Sequence, residues 1–257
     1  MKRALITGFS SGIGFAYAKH LSKSGWYLDL VSQNRERSLS ALGELDYQHY
    51  SAHICNLSSA EELDKLIQNI PTPDLLIANA GIGINGSVGK NTSNNIQDAI
   101  YLMFGGVINL VEYFLPKMKE KDFGRVVIIS SVGALIPMPK SSIYAAVKSG
   151  IYAYGRSLNE ELENTNVSVT VSLPGYVRTN IHKRSGLEHL TRKIPNWMWV
   201  SAEKVVTETE NASKKGRSSI IPGFLYRVAS NFFNLKITSP VMAIVILFPL
   251  NFIKGPW

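Results

Sequence analysis

Ala4-Leu5-Ile6-Thr7-Gly8-Phe9-Ser10-Ser11-Gly12-Ile13-Gly14 decides the fold. Residues 4–6 form a short apolar run of the kind that is buried as a strand. Ile13, Ala16, Tyr17 and Leu21 then recur at helical spacing, and Gly25 ends that helix. Between strand and helix lies a glycine turn. Glycines there let the backbone come close to a pyrophosphate, and the helix start supplies amide donors and a positive dipole end. The spacing Gly-x3-Gly-x-Gly is also that of a tight loop that needs positive backbone angles.

The same rhythm continues outward. Apolar runs at residues 26–31, 50–55, 75–78, 125–130, 167–173 and 219–221 alternate with helical patterns at 60–70, 94–119, 143–164 and 202–215. Strand–helix alternation predicts βαβ units and a parallel sheet in one α/β domain. The 257 residues suffice for one large core, and no repeat, linker or low-complexity stretch divides them. Residues 1–223 are expected to form a nucleotide-binding catalytic domain, and 224–257 an apolar extension of it.

The formal charge is +8, while the charged share of 18% is below the usual ~25%. Lys and Arg are scattered without aromatic interleaving, so nucleic acid is not an expected partner. Cys55 is the only cysteine, which excludes an internal disulfide and a Cys-based zinc site; no metal is expected. Met1-Lys2-Arg3 runs straight into the first strand with no signal-peptide pattern, so the expected location is cytoplasmic.

The chemistry lies downstream. Tyr144-Ala145-Ala146-Val147-Lys148 sits in a helical pattern, which puts Tyr144 and Lys148 one turn apart on one face. A phenol has an ordinary pKa of ~10, and a nearby ammonium favours its phenolate. Ser131, which closes the fifth strand, offers a hydroxyl for the same carbonyl oxygen.

With these residues the sequence resembles the classical short-chain dehydrogenase/reductase family over about residues 3–225. It shares the Thr-Gly-x3-Gly-Ile-Gly turn, Asn79-Ala80-Gly81, the Ser–Tyr–x3–Lys set and Pro174-Gly175-Tyr176-Val177-Arg178-Thr179. The resemblance implies a doubly wound Rossmann-type sheet of about seven parallel strands and carbonyl–alcohol chemistry. It makes Tyr144 the acid/base, Ser131 the residue that orients substrate, and Lys148 the group that lowers the tyrosine pKa and holds the ribose. Cofactor contacts follow at Gly8, Ser10, Ser11, Gly12, Ile13, Gly14, Asn56, Leu57, Asn79, Ala80, Gly81, Pro174, Gly175, Val177 and Thr179. One position departs: where the family has a fourth catalytic residue, an Asn, this chain has Met103. A thioether cannot replace the amide's donors, so proton delivery is expected to take another route.

NAD-specific members carry an acid at the end of the second strand. Here Ser32, Gln33, Asn34 and Arg35 follow that strand, with Arg37 beyond. None repels a 2′-phosphate, and a guanidinium can pair with it, so NADP(H) is expected over NAD(H). Arg35 reads equally as a solvated helix-start residue. The segment 180–199 should cover the substrate and mixes Leu187, Leu190, Ile194, Trp197, Met198 and Trp199 with His182, Lys183, Arg184, Arg192 and Lys193. A hydrophobic ketone or 3-oxoacyl compound is the expected small-molecule substrate, and a homo-oligomer the expected assembly. The apolar stretches 224–235 and 241–253, flanked by Arg227, Lys236 and Lys254, allow a buried or interface helix, a lid, or a peripheral membrane contact. A non-catalytic NADP(H)-binding sensor or a peripheral membrane subunit is the rival function.

Overall fold

A computed structural model describes residues 1–179 and 194–234. Its strands are β1 (Arg3–Thr7), β2 (Tyr27–Ser32), β3 (Tyr50–Ile54), β4 (Leu75–Ala78), β5 (Gly124–Ile129), β6 (Val167–Ser172) and β7 (Ser219–Ile220). They form one parallel sheet in the order β3-β2-β1-β4-β5-β6-β7. The order reverses between β1 and β4, so the crevice beyond their C-terminal ends is the place for a ligand. This is the Rossmann-type architecture expected from the alternating pattern.

Helices cover both faces. Those of the first half are α1 (Gly12–Ser22), α2 (Arg35–Leu45), α3 (Ala60–Asn69) and α4 (Ser93–Ile100). The later ones are α5 (Gly106–Glu120), α6 (Ser142–Glu161), α7 (Ala202–Ser213) and α8 (Phe224–Asn234). Strand side chains alternate between the two layers. Ala4 and Ile6 of β1 join a core with Tyr17, Leu21, Val205 and Tyr226, whereas Leu5 joins Val107, Phe114, Val126 and Ile151 on the other side. A sheet covered on both faces explains why its strands read as continuous apolar runs.

Two elements differ from the sequence reading. α2 has only Ala41 and Leu45 as buried apolar residues, too few to announce it; Asn34 caps it by accepting from the Arg37 amide at 2.8 Å. The long helix expected over 94–119 is α4 and α5 joined by a π-turn at Tyr101–Gly105, in which the Gly106 amide reaches back to the Tyr101 carbonyl. The 28-residue run Ser93–Glu120 is long and apolar enough to cross a membrane by length and composition. Its residues Val107, Leu110, Val111, Phe114 and Met118 are instead part of the core.

A buried ion pair joins the sheet to α7. Arg125 on β5 donates to Glu210 at 2.8 Å and to Ser213 at 3.1 Å. Lys214 lies 3.6 Å from the same carboxylate. Cys55 is buried, and desolvation pushes its thiol up to about 11.

Candidate active site

The glycine turn is built around Thr7, the last residue of β1. Its hydroxyl accepts from the amides of Asn79 (2.9 Å) and Ala80 (3.0 Å), which ties the end of β1 to the segment after β4. The Asn79 side-chain amide donates to the carbonyls of Thr7 (2.9 Å) and Gly8 (3.2 Å). Gly8 and Gly12 hold φ of +70° and +59°, the left-handed region that favours glycine. At Gly14 a Cβ would lie 2.4 Å from the Gly8 carbonyl oxygen and 2.6 Å from the Asn79 amide nitrogen, so only hydrogen fits. The first-turn amides of α1, at Gly12, Ile13 and Gly14, have no intrahelical acceptor, and no acidic residue stands beside them. A backbone cradle with a helix start and no opposing charge fits a dinucleotide pyrophosphate. Thr179 closes over it: a Cβ on Gly12 would meet the Thr179 methyl at 2.9 Å.

At the end of β2, Ser32 is buried and donates to the Ser10 hydroxyl at 3.0 Å, which couples this position to the glycine turn. Gln33 and Arg35 are exposed, and Arg35 is the first residue of α2. Arg35 is thus a solvated helix-start residue, with Glu36 beside it in the first turn of α2. Asn56 turns its side chain inward to the chain, accepting from the Ser58 amide at 3.1 Å, while its own amide donates to Glu62 at 2.8 Å. Leu57 is buried, and its carbonyl borders Gly106.

The reacting groups come from the end of β5 and the first turns of α6. Ser130 donates to the Lys148 carbonyl at 2.8 Å, the Lys148 ammonium donates to the Ile129 carbonyl at 2.9 Å, and Ser149 donates to the Ala134 carbonyl at 2.9 Å. These bonds fix α6 on the strand end. Ser131 caps a 3-10 turn at Val132–Ala134 by accepting from the Gly133 amide at 3.1 Å. Gly133 lies beneath both reacting side chains: a Cβ there would be 3.4 Å from the Ser131 hydroxyl and 3.5 Å from the Tyr144 ring. The Lys148 nitrogen is 5.8 Å from the centre of that ring. Ser131, Tyr144 and Lys148 thus converge as their spacing predicts.

Their electrostatics differ from the first expectation. Burial is the largest influence on Tyr144 and raises its pKa, and the Ser131 hydroxyl offsets part of that rise. Lys148, 6% exposed, is itself lowered to about 8 by burial. Burial thus favours the protonated phenol at neutral pH.

Met103 lies in the π-turn, buried against Gly81, where a Cβ would be 3.5 Å from its sulfur. It packs in one apolar cluster with Ile84, Ala99 and Val147, which Tyr144 borders.

Past β6, Gly175 accepts the ring of Tyr226, leaving no space for a side chain. The Tyr226 hydroxyl accepts from the Tyr176 amide at 3.0 Å and donates to the Met198 carbonyl at 2.8 Å. α8 is thereby fastened to the Pro174–Gly175 end of the site. Val177 is buried and bridges to Val200. Ile194 and Met198 are buried, and Trp197 is 61% exposed. Asn180, His182, Lys183, Arg184, Leu187, Leu190, Arg192 and Lys193 lie outside the described residues. Tyr226 has no place among the residues expected from the sequence, and Thr7 has one only as the first residue of the glycine motif, without its hydroxyl's role. Thr7 had a signal, a hydroxyl closing a buried strand; Tyr226 had none, because its partners lie 28 and 50 residues away. Among the described residues no group of three or more His, Cys, Asp or Glu could hold a metal ion.

Comparison with known proteins agrees with this geometry. Residues 2–189 match the short chain dehydrogenase family. The chain is 29% identical over 223 residues to a 3-oxoacyl-[acyl-carrier-protein] reductase of Rickettsia bellii, covering 86% of this chain and 92% of that one. It is 35% identical over 191 residues to an 11-beta-hydroxysteroid dehydrogenase-like protein of Arabidopsis thaliana, covering 70% and 60% of the two chains. A short-chain dehydrogenase from Sphingobium yanoikuyae in complex with NADPH superimposes with a TM-score of 0.81 at 26% identity, covering 91% and 92%. Seven parallel strands, the glycine cradle and the Ser–Tyr–Lys cluster are therefore those of an oxidoreductase acting on CH–OH or C=O groups, and the chain belongs to the short chain dehydrogenase family.

Proposed function

We propose that this chain reduces an apolar carbonyl compound with NADP(H), with Tyr144 as proton donor. The convergence of Ser131, Tyr144 and Lys148 at the strand end beside the glycine cradle carries this reading. The cradle of Gly8, Gly12 and Gly14 would hold the pyrophosphate, and Gln33 and Arg35 the 2′-phosphate. When bound, the cofactor supplies the hydride that reduces the carbonyl carbon. Ser131 holds the carbonyl oxygen by its hydroxyl, and Tyr144 gives that oxygen a proton. Lys148 steadies the charge left on the phenol.

The absence of an acid among Ser32, Gln33, Asn34 and Arg35 at the end of β2 supports NADP(H) over NAD(H). The buried Ile194 and Met198, in the segment expected to cover the substrate, favour an apolar substrate, such as a hydrophobic ketone or a 3-oxoacyl chain; the Rickettsia relative is named for the second. A cytoplasmic location and a homo-oligomer belong to the same proposal.

The test follows NADPH and NADH oxidation against apolar ketones, 3-oxoacyl thioesters and small polar carbonyls, with Tyr144→Phe in parallel. The expected result is turnover of an apolar class with NADPH, lost in the variant. Equal efficiency with NADH would overturn the cofactor assignment. Tight NADPH binding without turnover on any substrate would favour a non-catalytic sensor, which the Met103 replacement makes the second reading.

A further inference from the structure

The charge of +8 is placed on one side of the chain's chemistry. Residues 1–175 hold 15 basic and 15 acidic side chains, whereas residues 176–257 hold 12 basic and 4 acidic. No acid follows Glu210. Lys214, Lys215 and Arg217 precede β7 and so belong to the N-terminal edge of the parallel sheet. The opposite edge is followed in sequence by the stretches 176–200 and 221–257, which contain eight Lys or Arg against Glu188 alone, six of the eight outside the described residues.

That edge also presents apolar side chains to solvent. Phe224, Leu225 and Val228, at i, i+1 and i+4 of α8, are 66%, 49% and 38% exposed. The other face of the helix is committed to the core through Tyr226, Ala229 and Ser230. Tyr226 holds α8 against the turn Asn196–Met198, whose Trp197 is also exposed. Beyond α8 the sequence supplies residues 241–253, apolar except for Asn251, between Lys236 and Lys254.

We propose that the Phe224–Leu225–Val228 face of α8, together with Trp197, docks on a lipid surface carrying anionic headgroups. An exposed apolar face within a stretch of sequence that is rich in cations and nearly free of acids suits such a surface, with hydrocarbon beneath negative charge. An exposed tryptophan suits the boundary between them. An acidic protein would engage the cations but gives no reason for the long apolar sequence that continues from the same helix.

The test sediments the full chain with phosphatidylcholine vesicles and with vesicles containing about one-third phosphatidylglycerol. The chain is expected to pellet with the anionic vesicles, and less so when ionic strength rises from about 0.1 M to about 0.5 M. The triple variant Phe224→Ser/Leu225→Ser/Val228→Ser should partition about tenfold more weakly, with its NADPH affinity unchanged as evidence of folding. Failure to pellet with either vesicle overturns the proposal, as does equal partition of the variant. Retention by an acidic carrier protein without vesicle binding would assign the face to a protein. An assembly lost only in the variant, again without vesicle binding, would assign it to a second copy. Since vesicle binding is read without turnover, its failure leaves the reductase reading intact.

Discussion

Tyr226→Phe removes one oxygen and keeps the ring that fills the space at Gly175. In the native chain that oxygen accepts from the Tyr176 amide at 3.0 Å and donates to the Met198 carbonyl at 2.8 Å. The bond to Met198 is buried and that to Tyr176 partly so, and Tyr226 is 5% exposed. A buried polar group left without its partner costs about 1–3 kcal/mol, so two such groups, partly relaxed, predict a loss of roughly 2–4 kcal/mol. For a chain of this size that is a fall in Tm of about 4–15 °C. The released backbone includes Gly175 and Tyr176 of the cofactor-side motif, so NADPH affinity should fall about threefold to thirtyfold. Thermal unfolding and NADPH titration by intrinsic fluorescence measure both. An unchanged Tm would refute the energetic argument. A lowered Tm with native NADPH affinity would refute the link between α8 and the cofactor loop.

Three further outcomes follow from the site. Gly14→Ala drives a methyl into the Gly8 carbonyl and the Asn79 amide, neither of which is a flexible chain end; NADPH affinity measured by calorimetry should fall at least about tenfold, and native affinity would contradict the cradle. Burial lowers Lys148 from its usual 10.5 to about 8. As pH rises through 8 the folded chain releases this proton while the unfolded chain keeps it, so the native state gains on the order of 2 kcal/mol between pH 8 and 10. Denaturant unfolding at those two pH values should show that gain in the native chain and lose it in Lys148→Met; equal pH dependence would refute it. Met103→Asn places an amide in an apolar cluster against Gly81, so it should destabilise by about 1–3 kcal/mol without a large gain in turnover. A tenfold rise in kcat would instead show that the native proton path is impaired.

The parallel sheet was legible because its strands are covered on both faces and read as unbroken apolar runs. Ser131, Tyr144 and Lys148 were legible because the helix turn and the strand end fix their relation locally. α2 was not, since it rests on a cap and two apolar contacts. The π-turn was not, because one extra residue in a turn barely disturbs hydrophobic spacing; the Gly105-Gly106 pair was its only trace. The protonation of the site was the least accessible. Spacing put an ammonium beside a phenol, but depth of burial decides that the phenol is raised and the ammonium lowered. Tyr226 shows the same limit, since no local pattern reports a bond across 50 residues.

The bonds from Ser130 to Lys148, Lys148 to Ile129 and Ser149 to Ala134 make the reacting centre a unit of one strand end and one helix. None of them involves residues 176–200 or anything after β7. Apart from Val177, Thr179 and Tyr226, which bear on the glycine cradle and the loop after β6, substitutions that reshape what the enzyme accepts can accumulate in those later segments while these bonds stay intact. The first two-thirds of the chain thus holds the strand end and helix that join these residues, and the remainder is where a change of substrate can be written. A descendant with a changed substrate should therefore differ from this chain mainly beyond Gly175.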